Sequence, residues 1–427
     1  MHSASEAIPT TGRYRLLGHP TDLAAHLAAL GPVPLPTGHP RGWREAFMSA
    51  LEVSGLAGRG GAAFPAAIKL NVAHAGGAGG VVVVNGMEGE PASDKDKLLL
   101  IRSPHLVLDG AQLLAAATGA GRVTVCVPAG REQVAAAVGA ALAERSGTAY
   151  SPVPEQLVRP PDRFVAGEES ALVRWVVAGE SLPSFRPDKG TALRIGRRAA
   201  LVHNAETLAH VAMIARTGPD AFRAHGVVED PGTSLITISG AVEHPGVVEV
   251  DRGTPLLDIA DRATPIGPPQ ALLVGGYGGA WVSPAHFTTP YASLSLRTIG
   301  AAAGVGIVVV LGQEACGLME SARIAHYLAG QSAGQCGPCV YGLPAIADDL
   351  THLAHGQVDP ALMQRLTRRL DQVEGRGACR HPDGAVQLVR SVLNVFAADA
   401  NAHLQGVPCL HRNRSSQLRF PESRRVA

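Results

Sequence analysis

The sequence predicts an α/β protein: a parallel-sheet domain, then a small domain of short strands, then a helical C-terminal bundle. Three observations support this. Residues 81–145 alternate β-branched runs with Ala- and Leu-rich stretches, which is typical of a parallel sheet covered by helices. From about residue 231 the chain changes to short strand-like segments separated by turns. Beyond residue 313, apolar residues recur at helical spacing.

Strands and helices alternate in the first domain. The valine run 81–84 predicts a strand, 106–118 a helix, 123–127 a second strand and 132–144 a second helix. Open α/β sheets bind ligands at the carboxyl ends of their strands. The loops that follow these strands are therefore the places to search for a nucleotide-type ligand.

The later elements follow from shorter patterns. Segments 235–239 and 247–250 predict strands, whereas the leucines at 362, 366 and 370 and the apolar positions between 386 and 396 predict helices. The predicted divisions are an N-terminal extension (1–44), an α/β domain (45–230), a small domain (231–312), a helical domain (313–406) and a polar tail (407–427).

Composition excludes several classes of protein. The 427 residues, with 50 Gly and 31 Pro, indicate several loop-rich domains rather than a coiled coil. A net charge of +1 without long basic runs argues against a nucleic-acid partner. The longest apolar run, 300–312, is shorter than the ~20 residues of a membrane-spanning helix. With no legible secretory signal, we expect a cytoplasmic protein, free or peripheral to a membrane complex.

A glycine-rich loop at residues 55–69 is the first candidate binding element. Gly58, Gly60 and Gly61 would let backbone N–H groups approach a phosphate or sugar, and Lys69 adds a cation. No Gly-Lys-Ser/Thr follows, so it is not a P-loop. A glycine-rich surface turn before a helix is the simpler alternative, and the loop alone does not decide between them.

Polar residues follow the valine strand and two later segments. Asn85, Glu88 and Glu90 lie after the strand, where a polar cofactor would bind; a solvated acidic turn is the alternative. Segment 164–172 indicates a strand end and a glycine, with two carboxylates opening a helix, where a capping role is the alternative. In segment 202–208, an N-cap asparagine would leave first-turn amides available for a phosphate.

The six cysteines are too sparse for a disulfide scaffold. Their spacing singles out Cys336, Cys339 and Cys379 as candidates for chemistry. The other three are predicted to be bystanders: Cys126 and Cys316 as buried packing residues, and Cys409, near His411, as a residue without a ligand role.

In this order, the segments resemble the FMN- and NADH-binding 51-kDa (F-type) subunit of NADH:quinone oxidoreductase, respiratory complex I, and the diaphorase subunits of NAD-linked hydrogenases and formate dehydrogenases. The resemblance covers residues 45–405. It implies an FMN-binding first domain, a ubiquitin-like β-grasp second domain and a helical iron–sulfur third domain.

The resemblance also implies roles for individual residues. Glu88 and Glu90 would lie at the flavin and nicotinamide as the catalytic carboxylates, Phe64 would pack on the adenine, and Asn204 with Thr207 would hold the ribityl phosphate. The cysteines Cys336, Cys339 and Cys379 would bind a [4Fe–4S] or [3Fe–4S] cluster. The remaining implied cofactor-binding residues are Gly58, Arg59, Gly60, Gly61, Lys69, Asn85, Phe164, Gly167, Glu168, Glu169 and Arg186.

The implied activity is that of an FMN-dependent NADH dehydrogenase. Hydride would pass from NADH to FMN, and single electrons would pass to an iron–sulfur cluster or to a partner protein, either ferredoxin-like or a complex I-type subunit. An electron-transfer or scaffold subunit that keeps the fold without NADH turnover is the alternative from another class.

The sequence departs from the family pattern at the flavin loops. Met87 stands where the family has Asp, and His203 replaces the first of two asparagines. Lys189 stands where the family has an aromatic residue that would stack on adenine, although Phe185 lies nearby. Loss of one base–aromatic stack, ~1–3 kcal/mol, would weaken NADH binding by roughly ten- to a hundredfold.

The larger departure is at the cluster. Ala333 replaces the first cysteine of the family motif, so three of four expected thiolates remain. A [3Fe–4S] cluster, a [4Fe–4S] cluster with a labile iron bound by His381, Ser332 or solvent, and no cluster are all open. The pair Cys336-Gly-Pro-Cys339 also matches a thioredoxin-type motif, so a flavin-to-dithiol relay is a further alternative.

Overall fold

A computed structural model describes residues 14–37, 40–186, 191–357, 359–407, 409–411 and 414–421. The chain forms two compact units. Unit 1 comprises residues up to 89, 94–236 and 247–254, and unit 2 comprises residues 90–93, 237–246 and 255 onward. No helix in the described ranges has the length and apolar character needed to span a membrane.

Unit 1 contains nine helices and most of the strands among its described residues. The helices are α1 (Leu23–Leu30), α2 (Pro40–Ser54), α3 (Ala66–Ala75), α4 (Lys95–Arg102), α5 (Pro104–Thr118), α6 (Glu132–Arg145), α7 (Glu169–Ala178), α8 (Ala205–Thr217) and α9 (Pro219–Arg223). The strands are β1 (Val81–Asn85), β2 (Arg122–Cys126), β3 (Glu155–Val158), β4 (Leu193–Ile195), β5 (Arg198–Asn204), β6 (Gly226–Val227) and β7 (Asp230–Pro231), with parts of β8 (Thr233–Gly240) and β9 (Gly246–Asp251).

The main sheet of unit 1 confirms the predicted parallel architecture. Its order is β3-β2-β1-β5-β4, and only the edge strand β4 is antiparallel to its neighbour. The valine strand β1 is central and buried, as its β-branched residues predict. In register, Asn85 lies opposite Asn204 of β5 and Cys126 of β2. The carboxyl ends of β1 and β5 therefore place two asparagines side by side.

Helix α5 forms the centre of the unit 1 core. Pro104 begins it and Gly119, in the left-handed conformation, ends it. Its mid-helix Gly110 permits close packing on α8, since a Cβ there would lie 2.0 Å from the carbonyl oxygen of Leu208. The helix is buried almost all round, which explains why its sequence shows little amphipathic pattern.

Unit 2 contains the remaining elements. They are α10 (Leu256–Asp261), β10 (Ala271–Val274), β11 (Ala280–Val282), α11 (Ser293–Thr298), β12 (Ile307–Leu311), α12 (Gly317–Gly330), α13 (Leu343–Ala354), α14 (Leu362–Val373), α15 (His381–Val395) and α16 (Ala397–Leu404), with a π-helical turn at Pro338–Gly342. The second sheet has the order β11-β10-β12-β8-β9, in which β12 is parallel to β8 and antiparallel to β10.

The helical C-terminal region is confirmed. In α14 the predicted leucines 362, 366 and 370 are all buried, together with Val373, because they lie on one face of the helix. The absence of a side chain at Gly342 admits Val373, since a Cβ there would lie 2.3 Å from its Cγ2.

Residues 414–421, which lie in the predicted polar tail, pack within unit 2. Leu418 is buried, Gln417 accepts a hydrogen bond from the amide of Gly312 at 2.9 Å, and Ser416 donates to Glu320 at 2.5 Å. Phe420 contacts the ring of Tyr277, with the ring centroids 5.4 Å apart. The segment packs within unit 2 because its few apolar side chains find buried partners that its polar composition does not reveal.

Candidate functional site

The glycine-rich loop is held against the end of β5 and the start of α8. Thr207 accepts a hydrogen bond from the amide of Arg59 at 2.9 Å, and the amide of Gly58 donates to the carbonyl of Phe64 at 2.9 Å. A Cβ at Gly60 would lie 3.2 Å from the Cβ of Asn204. Thr207 therefore anchors the loop, and Gly60 allows it to pass close over Asn204.

The tip of this loop presents backbone donors to solvent. Gly60 and Gly61 are exposed, and in the described ranges their amides have no hydrogen-bond partner within the protein. Ala63 has a φ of 48°, a left-handed conformation that a non-glycine residue adopts at a cost. Exposed, unpaired amides on a conformationally constrained loop suit a phosphate or another polar ligand.

The acidic loop after β1 contacts the segment around Gly167. Asn85 donates to the carbonyl of Gly167 at 2.9 Å and accepts from the amide of Met87 at 3.1 Å. A Cβ at Gly167 would lie 2.6 Å from the Met87 carbonyl oxygen, so glycine is required there. Asn85 therefore positions both loops with its own amide group.

Residues 164–167 form a 3₁₀ turn, so the predicted strand end there is wrong. Phe164 is half-buried in this turn, and Glu168 follows as the N-cap of α7, accepting from the amides of Ser170 at 3.0 Å and Ala171 at 3.1 Å. This is the capping role that the sequence left open for the carboxylate pair. Glu169 is different, because it forms an ion pair with Lys69 of α3.

Lys69 ties three of the predicted segments together. Its ammonium group pairs with Glu169 and donates to the carbonyl oxygen of Val202 at 2.6 Å, next to His203. Burial, with the nearby charge of Lys69, holds the pKa of His203 well below its usual range. The Nε2 atom of His203 is buried without a hydrogen-bond partner in the described part of the chain. The structure therefore brings all four predicted segments to one end of the unit 1 sheet.

A buried charge network that sequence reasoning missed lies beneath Asn204. Lys95 is fully buried and pairs with Glu206 at 2.7 Å and Asp96 at 3.0 Å, while Asn204 donates to Asp96 at 2.6 Å. Asn204 also caps α8, accepting from the amide of Glu206 at 3.0 Å. Asn204 and Glu206 lie in the predicted segment 202–208 and Lys95 and Asp96 follow the acidic loop, but nothing in the sequence indicated that these segments would share one buried cation.

The pKa values in this network follow from burial and the shared cation. Burial raises the pKa of Asp96 to about 6, opposed by the charge of Lys95. Burial would also raise the pKa of Glu206, but the charge of Lys95, with His210 3.8 Å away acting in the same direction, holds it at about 2. Burial disfavours the charged form of Lys95, yet the surrounding carboxylates raise its pKa above the ordinary value. The network therefore keeps Lys95 charged.

The two carboxylates predicted to be catalytic belong to different units. Glu88 is buried in unit 1 and accepts from the amides of Asp96 at 3.1 Å and Lys97 at 2.9 Å, at the start of α4. Glu90 belongs to unit 2, where it accepts from the amide of Tyr277 at 3.0 Å. Both carboxylates support backbone amides, a positioning role that carboxylates near helix starts and turns commonly play.

Of the aromatic and arginine candidates, Arg59 is buried and its guanidinium donates to the carbonyl of Pro231 at 3.2 Å, whereas the others are exposed or half-buried. Phe64 is half-buried, and Phe185 is 71% exposed. Arg186 donates to the carbonyl of Thr191. Lys189, which stands in place of an adenine-stacking residue, lies outside the described residues.

The three predicted cysteine ligands are neighbours in unit 2. Cys339 is buried in the π-helical turn, and Cys336 and Cys379 are half-buried. Burial raises the pKa of Cys339 to about 12, and the nearby Cys336 and Cys379 contribute in the same direction. Thiols that raise one another's pKa ionise more readily when a metal ion binds the thiolates, so these three cysteines are suited to iron. The Nε2 atom of His381, a candidate fourth ligand, lies 2.8 Å from the carbonyl oxygen of Leu328.

The structure contains a second group of potential metal ligands that the sequence did not indicate. Cys316, His403 and Cys409 place one ligand atom each within 4.8 Å of one another, the single such group of three metal-ligand side chains among the described residues. The sequence predicts Cys316 as a buried packing residue and Cys409 as a bystander, and their separation of 93 positions offers no signal that they share a site. Cys316 and Cys126 are buried, as expected.

Comparison with known proteins assigns the chain to a class of proteins that combine an FMN-binding domain with an iron–sulfur region. Residues 51–213 match the Nuo51 FMN-binding domain, and residues 319–403 match the NADH-ubiquinone oxidoreductase-F iron–sulfur binding region. The chain belongs to the family of the F-type, 51-kDa subunits of NADH-quinone oxidoreductases, with the family's flavin and iron–sulfur regions both present.

Individual relatives are distant. One of them, the F-type subunit numbered 2 of the NADH-quinone oxidoreductase of Rhizobium meliloti, is 26% identical over 377 residues, covering 85% of this chain and 90% of the relative. The F-type subunit of Salmonella typhimurium is 27% identical, covering 84% of each chain. A crystal structure of an NAD⁺-reducing [NiFe]-hydrogenase in the air-oxidized state aligns with a TM-score of 0.77 and 29% identity, covering 85% of this chain. The chain covers 63% of that solved chain, less than two thirds of its length.

The residues present fit a flavin mononucleotide. Gly60 has no side chain, so the glycine loop can pass over Asn204, where a Cβ would lie only 3.2 Å from the Asn204 Cβ. The exposed amides of Gly60 and Gly61 can face a polar ligand. The thiols of Cys336, Cys339 and Cys379 supply a donor set for iron–sulfur chemistry, with Ala333 in place of the first cysteine of the family motif.

Proposed function

We propose that this chain is the FMN-containing, NADH-oxidising subunit of a multi-subunit oxidoreductase. The observation that carries the proposal is the convergence of the glycine loop, the acidic loop, the Glu168–Glu169 pair and Asn204 at the carboxyl ends of β1 and β5. In open parallel sheets this is where nucleotide cofactors bind. The kinship with the F-type subunits and with a chain of an NAD⁺-reducing hydrogenase supports the same function.

In this proposal, FMN when bound accepts hydride from NADH and releases electrons singly. The chain's own residues position the reactants. Gly60 and Gly61 would donate amides to the flavin, Lys69 would supply a cation held by Glu169, and Asn85 would hold the acidic loop and the Gly167 segment in place. Thr207 and Asn204 would hold the glycine loop over the ribityl phosphate.

The cluster-binding part of the proposal rests on Cys336, Cys339 and Cys379. Three neighbouring sulfurs favour an iron–sulfur cluster over a dithiol relay, because a relay needs only two. A partner electron-transfer protein, ferredoxin-like or a complex I-type subunit, would accept the electrons. We further infer that residues 231–312 form a β-grasp-like domain, supported by the parallel pairing of β8 with β12, its first and last strands, in the middle of the sheet.

Anaerobic spectroscopy of the full chain tests the proposal. Purified protein is expected to be yellow and to release FMN on denaturation, and NADH is expected to bleach the bound flavin. A protein that binds FMN but is not bleached at millimolar NADH would be the non-catalytic electron-transfer subunit instead. A colourless protein that fails to take up added FMN would refute flavin binding.

A further inference from the structure

The group Cys316, His403 and Cys409 in unit 2 is distinct from the predicted cluster ligands. Two of its three members, Cys316 and Cys409, lie outside the matched iron–sulfur region, which spans residues 319–403. Its three ligand atoms lie within 4.8 Å of one another. A tetrahedral Zn²⁺ with bonds of ~2.0–2.3 Å holds such atoms about 3.5–3.8 Å apart, so binding would require only a small contraction.

His403 and Cys316 already have surroundings that suit a metal ligand. His403 is buried, and its Nδ1 lies 3.2 Å from the carbonyl oxygen of Leu353. A carbonyl can only accept, so this contact puts the proton on Nδ1 and leaves the Nε2 lone pair for a metal. The imidazole is thereby set in the tautomer and orientation that metal-binding histidines use.

Cys316 lies at the start of α12, a helix of fourteen residues. Its thiol lies at the helix N-terminus, where the backbone around Leu318 and Met319 favours the thiolate form. Burial, with the neighbouring Cys409 acting in the same direction, raises the pKa of Cys316 to about 12. Two sulfurs that cannot both ionise alone can do so around a divalent cation, and metal binding then releases their protons.

We propose that Cys316, His403 and Cys409 bind a single zinc-type divalent ion, separate from the iron–sulfur cluster, with a fourth position open to water. Two thiolates, a neutral imidazole and a divalent cation give a site of zero net charge, which suits its burial. The site ties the starting residue of α12 to α16 and to the segment that follows α16.

Metal titration of the full chain tests this site without interference from the cluster. A variant in which Cys336, Cys339 and Cys379 are all replaced by Ala, called here the cluster-free variant, is reduced, freed of metal and titrated anaerobically with Co²⁺. We expect about one Co²⁺ per chain, with thiolate-to-cobalt charge-transfer absorption. Adding Cys409→Ser or His403→Ala should weaken binding by more than the ~10–100-fold that loss of an outer-shell partner costs.

Cys126→Ala in the same background is the matched control, because it removes a buried cysteine of unit 1 and should leave Co²⁺ binding unchanged. Absence of Co²⁺ binding by the folded cluster-free variant, or binding that survives Cys409→Ser, overturns the proposal. Isolation of a Cys316–Cys409 disulfide whose reduced form binds no metal also overturns it.

If the cluster-free variant does not fold, zinc content of the otherwise wild-type chain replaces the titration. Cys409 is half-buried, so Cys409→Ser is the mildest change. It should lower zinc by about one equivalent while leaving iron and flavin content unchanged, and an unchanged zinc content refutes the site. Flavin content also reports separately on the proposed function, whose failure would leave the zinc result intact.

Discussion

At the scale of single residues, the candidate flavin site depends on side chains that hold its loops and helix starts in place. Asn85 and Asn204 were predicted as cofactor contacts, yet each uses its side chain to hold neighbouring loops and caps. Lys95 lies beneath them, and its charge balances Asp96 and Glu206. Side chains held by such a network are positioned before any ligand arrives.

Removing the buried cation should therefore be strongly destabilising. Lys95→Met leaves Asp96 and Glu206 buried without their counter-charge, and breaking a buried pair in this way costs about 3–5 kcal/mol. The free energy of unfolding from urea denaturation measures the loss. Adding Glu206→Gln should recover part of it, since one uncompensated charge disappears.

Arg159→Met is the matched control, because the Arg159–Glu132 ion pair is solvent-exposed. Exposed pairs contribute little, so this variant should unfold as the wild type does. Equal stabilities of Lys95→Met and the wild type would contradict the role given to the buried network.

The glycine loop makes a second prediction at this scale. Gly60→Val would place side-chain carbons against Asn204, where a Cβ alone would already lie 3.2 Å from the Asn204 Cβ. We expect the FMN dissociation constant to rise at least tenfold, measured by flavin fluorescence titration, a loss of ~1.4 kcal/mol or more. Gly139→Ala, on a helix with open space around it, should bind FMN normally. Unchanged affinity in Gly60→Val would place the ligand elsewhere.

At the scale of elements, one carboxylate on α5 joins three other helices. Asp109 contacts His26 of α1 at 2.8 Å, Arg145 of α6 at 2.8 Å and Arg216 of α8. Burial would raise the pKa of Asp109, but the hydrogen bond with His26 and the charges of the two arginines lower it to about 2. The helices around the sheet are therefore held together by charge as well as by apolar packing.

This arrangement predicts a specific acid sensitivity. Because its folded pKa is depressed from 3.8 to about 2, Asp109 contributes stability that is complete above pH 4 and lost as pH falls towards 2. The difference corresponds to roughly 2.5 kcal/mol. Asp109→Asn should be less stable than the wild type at pH 7, and the gap should narrow between pH 4 and 2, as measured by urea denaturation at each pH.

Asp371→Asn is the control for the charge change, since Asp371 pairs with Arg390 at the surface. It should leave stability unchanged at every pH. A gap between Asp109→Asn and the wild type that stays constant down to pH 2 would show that Asp109 acts through packing rather than through its charge.

At the scale of the whole molecule, the proposed function requires both the flavin site of unit 1 and the cysteines of unit 2. The second of these is where the chain departs most from its family, since Ala333 takes the place of a ligand. Ala333 is half-buried and is followed by Gly334, which has a positive φ of 66°. A cysteine at 333 would therefore lie in a half-buried loop and not in the core.

Restoring the missing cysteine ligand should change the iron–sulfur cluster that would accept electrons from the flavin. After anaerobic reconstitution with iron and sulfide, Ala333→Cys is expected to hold about four irons per chain and to give the EPR signal of a reduced [4Fe–4S] cluster. The wild type should hold less iron, and Ala333→Cys combined with Cys379→Ser should return to the wild-type level. Identical iron content and spectra in wild type and Ala333→Cys would refute the three-ligand assignment.

Much of the fold could be predicted because local pattern and tertiary environment agree. The valine run of β1 is buried on both faces, and the leucines of α14 share one buried face, so their periodicities indicated their elements directly. The turn at 164–167 and the packed segment 414–421 could not be predicted, because their conformations depend on contacts made far along the chain.

For this protein, the sequence by itself determined the parallel sheet, the helical C-terminal region, the four loop motifs and the cysteine spacing, since each depends on residues close together in the chain. Only the tertiary structure decided what those residues do. It placed Asn204 over Lys95, assigned Glu88 and Glu90 to backbone amides in separate units, and brought Cys316, His403 and Cys409 together. Buried charge pairs and ligand groups depend on distances between segments remote in sequence, and no local pattern encodes those distances.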